Sequence, residues 1–223
     1  MLERFRTGWR AVMTPPARLL LAARVSPDAV TWTGTILTIV AALVMLPQGW
    51  LWQGSIVLTL LVCTDSLDGQ MARLSGRSTS WGAFLDSSLD RIADGALFMG
   101  VALFYVGHGA SVVWTGMAIA ALVLGQVTSY VKARGESLGV AVTGGLIARA
   151  DRLVALGLGV LLTGLAREGH LPEWLQWALP VALVWLVVAG AITVGQRMAQ
   201  FRHQVRQQPD GSPAQAVIAP EKR

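Results

Sequence analysis

Apolar residues fill three long stretches of the chain, Ala29 to Leu46, Ala110 to Val127 and Leu175 to Val194, none of which contains a formal charge. Each approaches the roughly 20 residues a helix needs to cross the hydrocarbon core of a bilayer. Three further blocks reach that length only with charges inside them. Trp50 to Met71 encloses Asp65 and Asp68, Trp81 to Val106 encloses Asp86, Asp90, Arg91 and Asp94, and Leu146 to Ala166 encloses Asp151 and Arg152. The pattern predicts six transmembrane helices in an all-α integral membrane protein, without the internal symmetry of inverted-repeat transporters.

The polar positions between these blocks set orientation and boundaries. Pro47 to Gly49 and Gly107 to Gly109 carry no Lys or Arg, and the third loop on that side carries Arg167. The other side collects Arg4, Arg6, Arg10, Arg18, Arg24, Arg73, Arg77, Lys132, Arg134, Arg149, Arg197, Arg202 and Arg206, so it is expected to face the cytoplasm, with both termini, at a cell membrane. Ahead of the first span, MLERFRTGWRAVM mixes cationic and apolar residues, which predicts an N-terminal amphipathic surface helix, with a second short helix starting at Pro15-Pro16. No cleaved leader is expected from it. The segment QQPDGSPAQAVIAPEKR has little to bury and reads as a disordered cytoplasmic tail. The expected organisation is a juxtamembrane segment over 1–26, a six-helix catalytic domain over 27–206 and the tail over 207–223.

Composition narrows the class. Hydrophobic residues make up 53% of the chain and charged ones 14%, with a net charge of +5. That is far less charge than the roughly 25% of soluble domains. The cations flank apolar blocks instead of forming a polar basic face, which argues against nucleic acid. A single cysteine, Cys63, excludes an internal disulfide, and three scattered histidines show no zinc-ligand spacing. Any metal here is expected to be held by oxygen. The nine tryptophans fall mostly near predicted helix ends, as an interfacial aromatic belt.

Charges at membrane depth are costly, and so point to function. Asp65 and Asp68 are spaced to share one face of the second predicted helix, and Asp86 and Asp90 one face of the third. The connection over Ser75 to Ser80 is short, which predicts antiparallel neighbouring helices with four converging carboxylates. So many carboxylates together call for cations, and hard divalent ions, Mg²⁺ or Mn²⁺, suit oxygen donors. Two such ions form a clamp for phosphoryl chemistry. Gly69 and Ala72 leave room for a bulky phosphate-bearing ligand, and Arg73 offers a forked phosphate contact. By spacing alone two other readings stay open: a divalent-cation or proton transporter, and structural glue in which the acids pair with Arg73, Arg77 and Arg91. Lys132, Arg152 and Arg197 each sit near the cytoplasmic end of a different helix, so a folded bundle can converge them on one anionic group. Ordinary positive-inside flanking is the alternative.

Read in order, Asp65-x-x-Asp68-Gly69-x-x-Ala72-Arg73 followed by Gly82-x-x-x-Asp86-x-x-x-Asp90 resembles the full signature of the CDP-alcohol phosphotransferases. The resemblance implies six transmembrane helices, a homodimer, and transfer of a substituted phosphate from a CDP-linked lipid to an alcohol with release of CMP. Ser26-Pro27-Asp28-Ala29-Val30-Thr31, the segment Ser129-Tyr130-Val131-Lys132-Ala133-Arg134-Gly135-Glu136, and Arg152 after Arg149-x-Asp151 resemble, more narrowly, the actinobacterial phosphatidylinositol phosphate synthases. Gly135 and Ala148 depart from that group's expected Ala and Glu. The resemblance implies that Asp65, Asp68, Asp86 and Asp90 hold two Mg²⁺ ions, with Mn²⁺ as a substitute, and that Asp90 is also the proton acceptor. It implies that Asp28, Ala29, Val30, Thr31, Gly69, Arg73 and Thr79 contact CDP-diacylglycerol. Lys132, Arg152 and Arg197, read above as converging on one anionic group, would then hold the phosphate of 1D-myo-inositol 3-phosphate, the choice of inositol resting on the resemblance alone. Glycerol 3-phosphate or another alcohol is the alternative acceptor.

Overall fold

The computed structural model describes residues 2–76 and 79–207, with side chains described outside residues 2–11 and 64–66. Seven helices follow in order: α1 Leu2–Ala22, α2 Pro27–Met45, α3 Leu51–Leu74, α4 Ser80–Val106, α5 Val112–Ser137, α6 Arg149–Arg167 and α7 Ala178–Gln207, with a single 3₁₀ turn at Glu173–Trp177. No strand occurs among the described residues. Helices α2 to α7 coincide with the six apolar blocks. Three segments, Pro27–Met45, Val112–Ser137 and Glu173–Gln207, are long and apolar enough to cross a membrane by length and composition alone.

The helix starts are written in the local sequence. Ser26 caps α2 by accepting the Ala29 N–H at 3.2 Å, with Pro27 opening the helix. Thr79 caps α4 by accepting from Gly82 N at 3.0 Å. At α6, Ala148 has no oxygen to offer, and the Asp151 carboxylate instead accepts the Ala148 N–H at 2.9 Å.

The helices close into a ring in which α2 packs on α3, α3 on α6, α6 on α7, α7 on α5, α5 on α4 and α4 back on α2, while α1 docks on α3. Close approach at small residues makes this ring tight, as expected where lipid tails remove the hydrophobic drive between helices. Gly100 of α4 lies against the Ala42 carbonyl of α2, and a Cβ at Gly164 of α6 would stand 2.5 Å from Trp52 N of α3. Leu46, Leu51, Val101, Phe104, Leu179, Leu183 and Leu186 fill the interior, whereas Ile36, Val40, Leu60, Val181, Trp185 and Val188 face outward. An exposed apolar surface of this extent is that of a membrane protein.

Two expectations are corrected. The Pro15-Pro16 pair does not restart a helix, because α1 runs through both. The missing donors cost two helical bonds, but Ala17 is fully buried and Gln70 of α3 donates to Thr14 Oγ1 at 3.1 Å, so tertiary contacts hold the segment just where the prolines weaken it. Helices α3 and α4 are not packed neighbours along their length, for α2 lies against both. Arg77 and residues 208–223, hence nearly all of the expected tail, lie outside the described residues, and Gln207 ends α7.

Candidate functional site

Because α2 separates them, α3 and α4 leave a cleft of about 530 Å³ between the C-terminal end of α3 and the N-terminal end of α4. Its walls carry Asp28 and Thr31 from α2, Asp68, Gly69, Ala72 and Arg73 from α3, and Thr79, Gly82 and Asp86 at the start of α4. Gly69 faces open space and Gly82 sits beside Thr79 Oγ1 and Asp28 Oδ1, so the backbone is bared on both walls. Of the predicted donor-lipid residues, Asp28, Thr31, Gly69, Arg73 and Thr79 line this cleft, and Ala29 and Val30 do not.

Asp68 is buried and held from two sides: Thr31 Oγ1 donates to its Oδ2 and the Gly69 N–H to its Oδ1. The negative charges of Asp86 and Asp90 bear on it directly. Asp86 opens into the same cleft, while Asp90, one turn deeper on α4, borders a smaller gap with Asp94 and Arg149. Arg149 Nη1 reaches Asp90 Oδ2 at 2.6 Å and Arg91 Nη2 stands 3.9 Å away. Asp65 is on α3 one turn before Asp68, with its side chain outside those described. Among the described residues, no three His, Cys, Asp or Glu side chains share one ion. The donor chemistry nevertheless fits hard divalent cations: these are mutually repelling carboxylates, with no nitrogen or sulfur ligand among the cleft walls.

The predicted acceptor residues separate into three environments. Lys132 is exposed and paired with Glu136 at 3.8 Å. Arg152 is 95% buried, being 5% exposed, with Nη2 3.7 Å from Asp94 Oδ2. Arg197 is buried too, but it is engaged by backbone, donating from Nε to Gly144 O at 2.8 Å and from Nη1 to Thr128 O at 2.6 Å. Arg91, Arg149 and Arg152 gather around Asp94, one turn beyond Asp90. Sequence reasoning assigned no role to Asp94 and used Arg149 only as part of the approach to Arg152. The signal was present: Asp94 continues the four-residue spacing of Asp86 and Asp90.

Gly135 is explained by its surroundings, since a Cβ there would meet Val142 Cγ2 at 2.5 Å.

A carboxylate-lined cleft on a helical membrane scaffold suits a transferase of phosphate-bearing lipids, and the chain belongs to the CDP-alcohol phosphatidyltransferase family, whose sequence pattern matches residues 24–193. Among its relatives, the phosphatidylinositol phosphate synthase of Cutibacterium acnes is 55% identical over 202 residues, covering 91% of this chain and 98% of the relative. That of Streptomyces avermitilis is 46% identical, covering 92% and 84%. The crystal structure of Mycobacterium tuberculosis phosphatidylinositol phosphate synthase with CDP-DAG bound superposes with a TM-score of 0.80 at 34% identity, covering 96% of this chain and all of that one. The same enzyme in complex with manganese and citrate gives 0.79 at 35% identity, covering 94% and 93%.

Proposed function

We propose that this protein is a membrane phosphatidylinositol phosphate synthase, which transfers the phosphatidyl group of CDP-diacylglycerol to 1D-myo-inositol 3-phosphate and releases CMP. One observation carries the reading: α4 carries Asp86 on the wall of a carboxylate-lined cleft and, on its next turns, Asp90 and Asp94, which hold the guanidinium groups of Arg149 and Arg152. The cleft suits a nucleotide-lipid with its cations, the guanidinium groups a phosphorylated alcohol. The relatives' shared name and the CDP-DAG-bound structure support the donor and acceptor chosen. The chain is read as six spans with α1 lying on the membrane surface, both termini and the site cytoplasmic, in a homodimer. Its catalytic domain is 27–206, between a juxtamembrane segment 1–26 and a tail 207–223.

When bound by Asp65, Asp68, Asp86 and Asp90, two divalent ions, Mg²⁺ or Mn²⁺, neutralise the pyrophosphate oxygens. Thr31 and the Gly69 N–H hold Asp68 in one orientation for this task. Arg73 contributes a permanent positive charge to the donor phosphates, and bare backbone at Gly69 and Gly82 admits them closely. On the acceptor side, Arg152, Lys132 and Arg197 attract the inositol-borne phosphate. The Asp90 carboxylate then takes the proton of the acceptor hydroxyl as its oxygen attacks the lipid-bearing phosphorus in line.

The test is CMP release by purified protein in detergent with CDP-diacylglycerol and Mg²⁺, with inositol 3-phosphate, glycerol 3-phosphate or free inositol in parallel, and Asp90→Asn as control. Release driven by inositol phosphate and lost in the variant is expected. Release with glycerol 3-phosphate alone would overturn the acceptor and keep the chemistry. Ion flux into liposomes with no release from any alcohol would restore the transporter reading.

A further inference from the structure

Asp94 lies outside the family signature and outside every role assigned so far, yet three guanidinium groups face it. It is 5% exposed. Arg149 grips it with a fork, Nε to Oδ2 at 3.2 Å and Nη2 to Oδ1 at 3.0 Å. Arg91 Nη2 stands 3.6 Å and Arg152 Nη2 3.7 Å from the same Oδ2. One carboxylate therefore faces three guanidinium groups drawn from its own helix and from α6. Guanidinium groups this close repel each other, the more so with Arg152 buried, and a shared anion offsets that repulsion.

On the far side of Arg152, a second feature limits its movement. A Cβ on Gly125 of α5 would come within 2.6 Å of Arg152 Nη1, so the guanidinium occupies a notch that only glycine leaves. That same Nη1 is buried and has no hydrogen-bond partner among the described residues. An unsatisfied buried guanidinium nitrogen is expensive, and it is the kind of atom an incoming anion would complete.

We propose that Asp94 is a positioning residue for the acceptor: it draws Arg91, Arg149 and Arg152 together so that, with Gly125 shaping the notch, the unpartnered Arg152 Nη1 meets the phosphate of the acceptor alcohol. The carboxylate satisfies only part of three positive charges, so the cluster keeps net positive charge for the ligand. Arg149 also touches Asp90, so the same element ties acceptor placement to the residue that receives the proton. This rests on the acceptor reading given above.

Steady-state kinetics of CMP release separate the two ideas. Asp94→Asn and, independently, Gly125→Ala should raise KM for inositol 3-phosphate about tenfold, the scale of one lost charge-assisted hydrogen bond, and KM for CDP-diacylglycerol should not follow. Gly125→Ala alters no charge, so it decides alone if Asp94→Asn fails to fold. An acceptor KM that is unchanged or lowered in either folded variant overturns the proposal, because Asp94 would then be an opposing charge or Gly125 a passive spacer. Arg152→Ala serves as reference. A raised acceptor KM there with wild-type behaviour in the other two sinks Asp94 and keeps the pocket, whereas wild-type KM in Arg152→Ala sinks the pocket reading and this proposal with it.

Discussion

The cleft and the guanidinium cluster share helix α4, through Asp86 on one side and Asp90 and Asp94 on the other, but follow opposite plans. In the cleft the chemistry comes from short sequence spacings at the end of α3 and the start of α4, its walls are open, and Asp86 and Arg73 are exposed. In the pocket, Asp94, Arg152 and Arg197 come from three helices far apart in the chain, and each is buried. An open wall of like charges can be filled by mobile cations and nucleotide from solvent, so its residues need little support. Buried cations have no such recourse, and both here are held by another group: Asp94 for Arg152, backbone carbonyls for Arg197.

The largest effect should come from breaking the cleft. Asp86→Asn is expected to reduce kcat for CMP release on the order of a thousandfold, since in the proposed mechanism it removes one of the carboxylates that would hold the cations at the reacting phosphates. Chelation with EDTA should bring wild-type activity to the same floor. If Asp86→Asn changed KM for inositol 3-phosphate and left kcat alone, the division of labour between the two zones would be wrong.

This division also separates what the chain discloses from what it hides. Asp68, Asp86 and Asp90 could be found because helical spacing is local: residues three or four apart share a face whatever the rest of the fold does. The positions of α2, α5 and α7 follow in the same way from unbroken apolar runs. Packing order is not local, and so the short link between α3 and α4 suggested a neighbourhood that α2 in fact occupies. Gly125 was invisible for the same reason, because its value depends on Arg152 arriving from α6. Arg197 shows a subtler limit. Its position near a helix end and its charge were legible, but its engagement by Gly144 and Thr128 required knowing where the α5–α6 connection folds.

That engagement supplies a middle-sized prediction that sharpens the pocket side. Arg197 Nε and Nη1 pin the connection while Gln200 Oε1 accepts from Gly144 N at 3.0 Å and Thr193 Oγ1 from Ile147 N at 3.2 Å. Lysine has no fork to span two carbonyls, so Arg197→Lys should speed amide hydrogen exchange at Gly144 and Ile147 by about tenfold or more, the scale of one lost charged hydrogen bond. Its acceptor KM should rise less than that of Arg152→Ala. Unchanged exchange with an equally large KM effect would make Arg197 a direct phosphate ligand and not a loop pin.

The smallest effect should arise at the opposite end of the bundle, which serves neither zone and so calibrates both. There Glu168 accepts from Trp52 Nε1 at 2.6 Å and from Gln53 Nε2 at 3.2 Å, with His170 Nε2 at 3.7 Å. The Trp52 indole N–H beside it holds the Glu168 carboxyl below the usual glutamate range, with Gln53 and His170 assisting. A carboxyl depressed in the folded state binds its proton later than in the unfolded chain. The stability it contributes is therefore complete above the ordinary glutamate range and disappears as the pH falls through its folded value. Trp52→Phe removes the leading donor, so the acid-side decline of Tm should become shallower, by a small margin because solvent screens an exposed pair. CMP release near neutral pH should match wild type in both kcat and acceptor KM. A change in acceptor KM would mean that the far end of the bundle is coupled to the guanidinium pocket through α3 and α6, and the separation of the two zones would then extend over the whole length of the helices instead of being confined to one end.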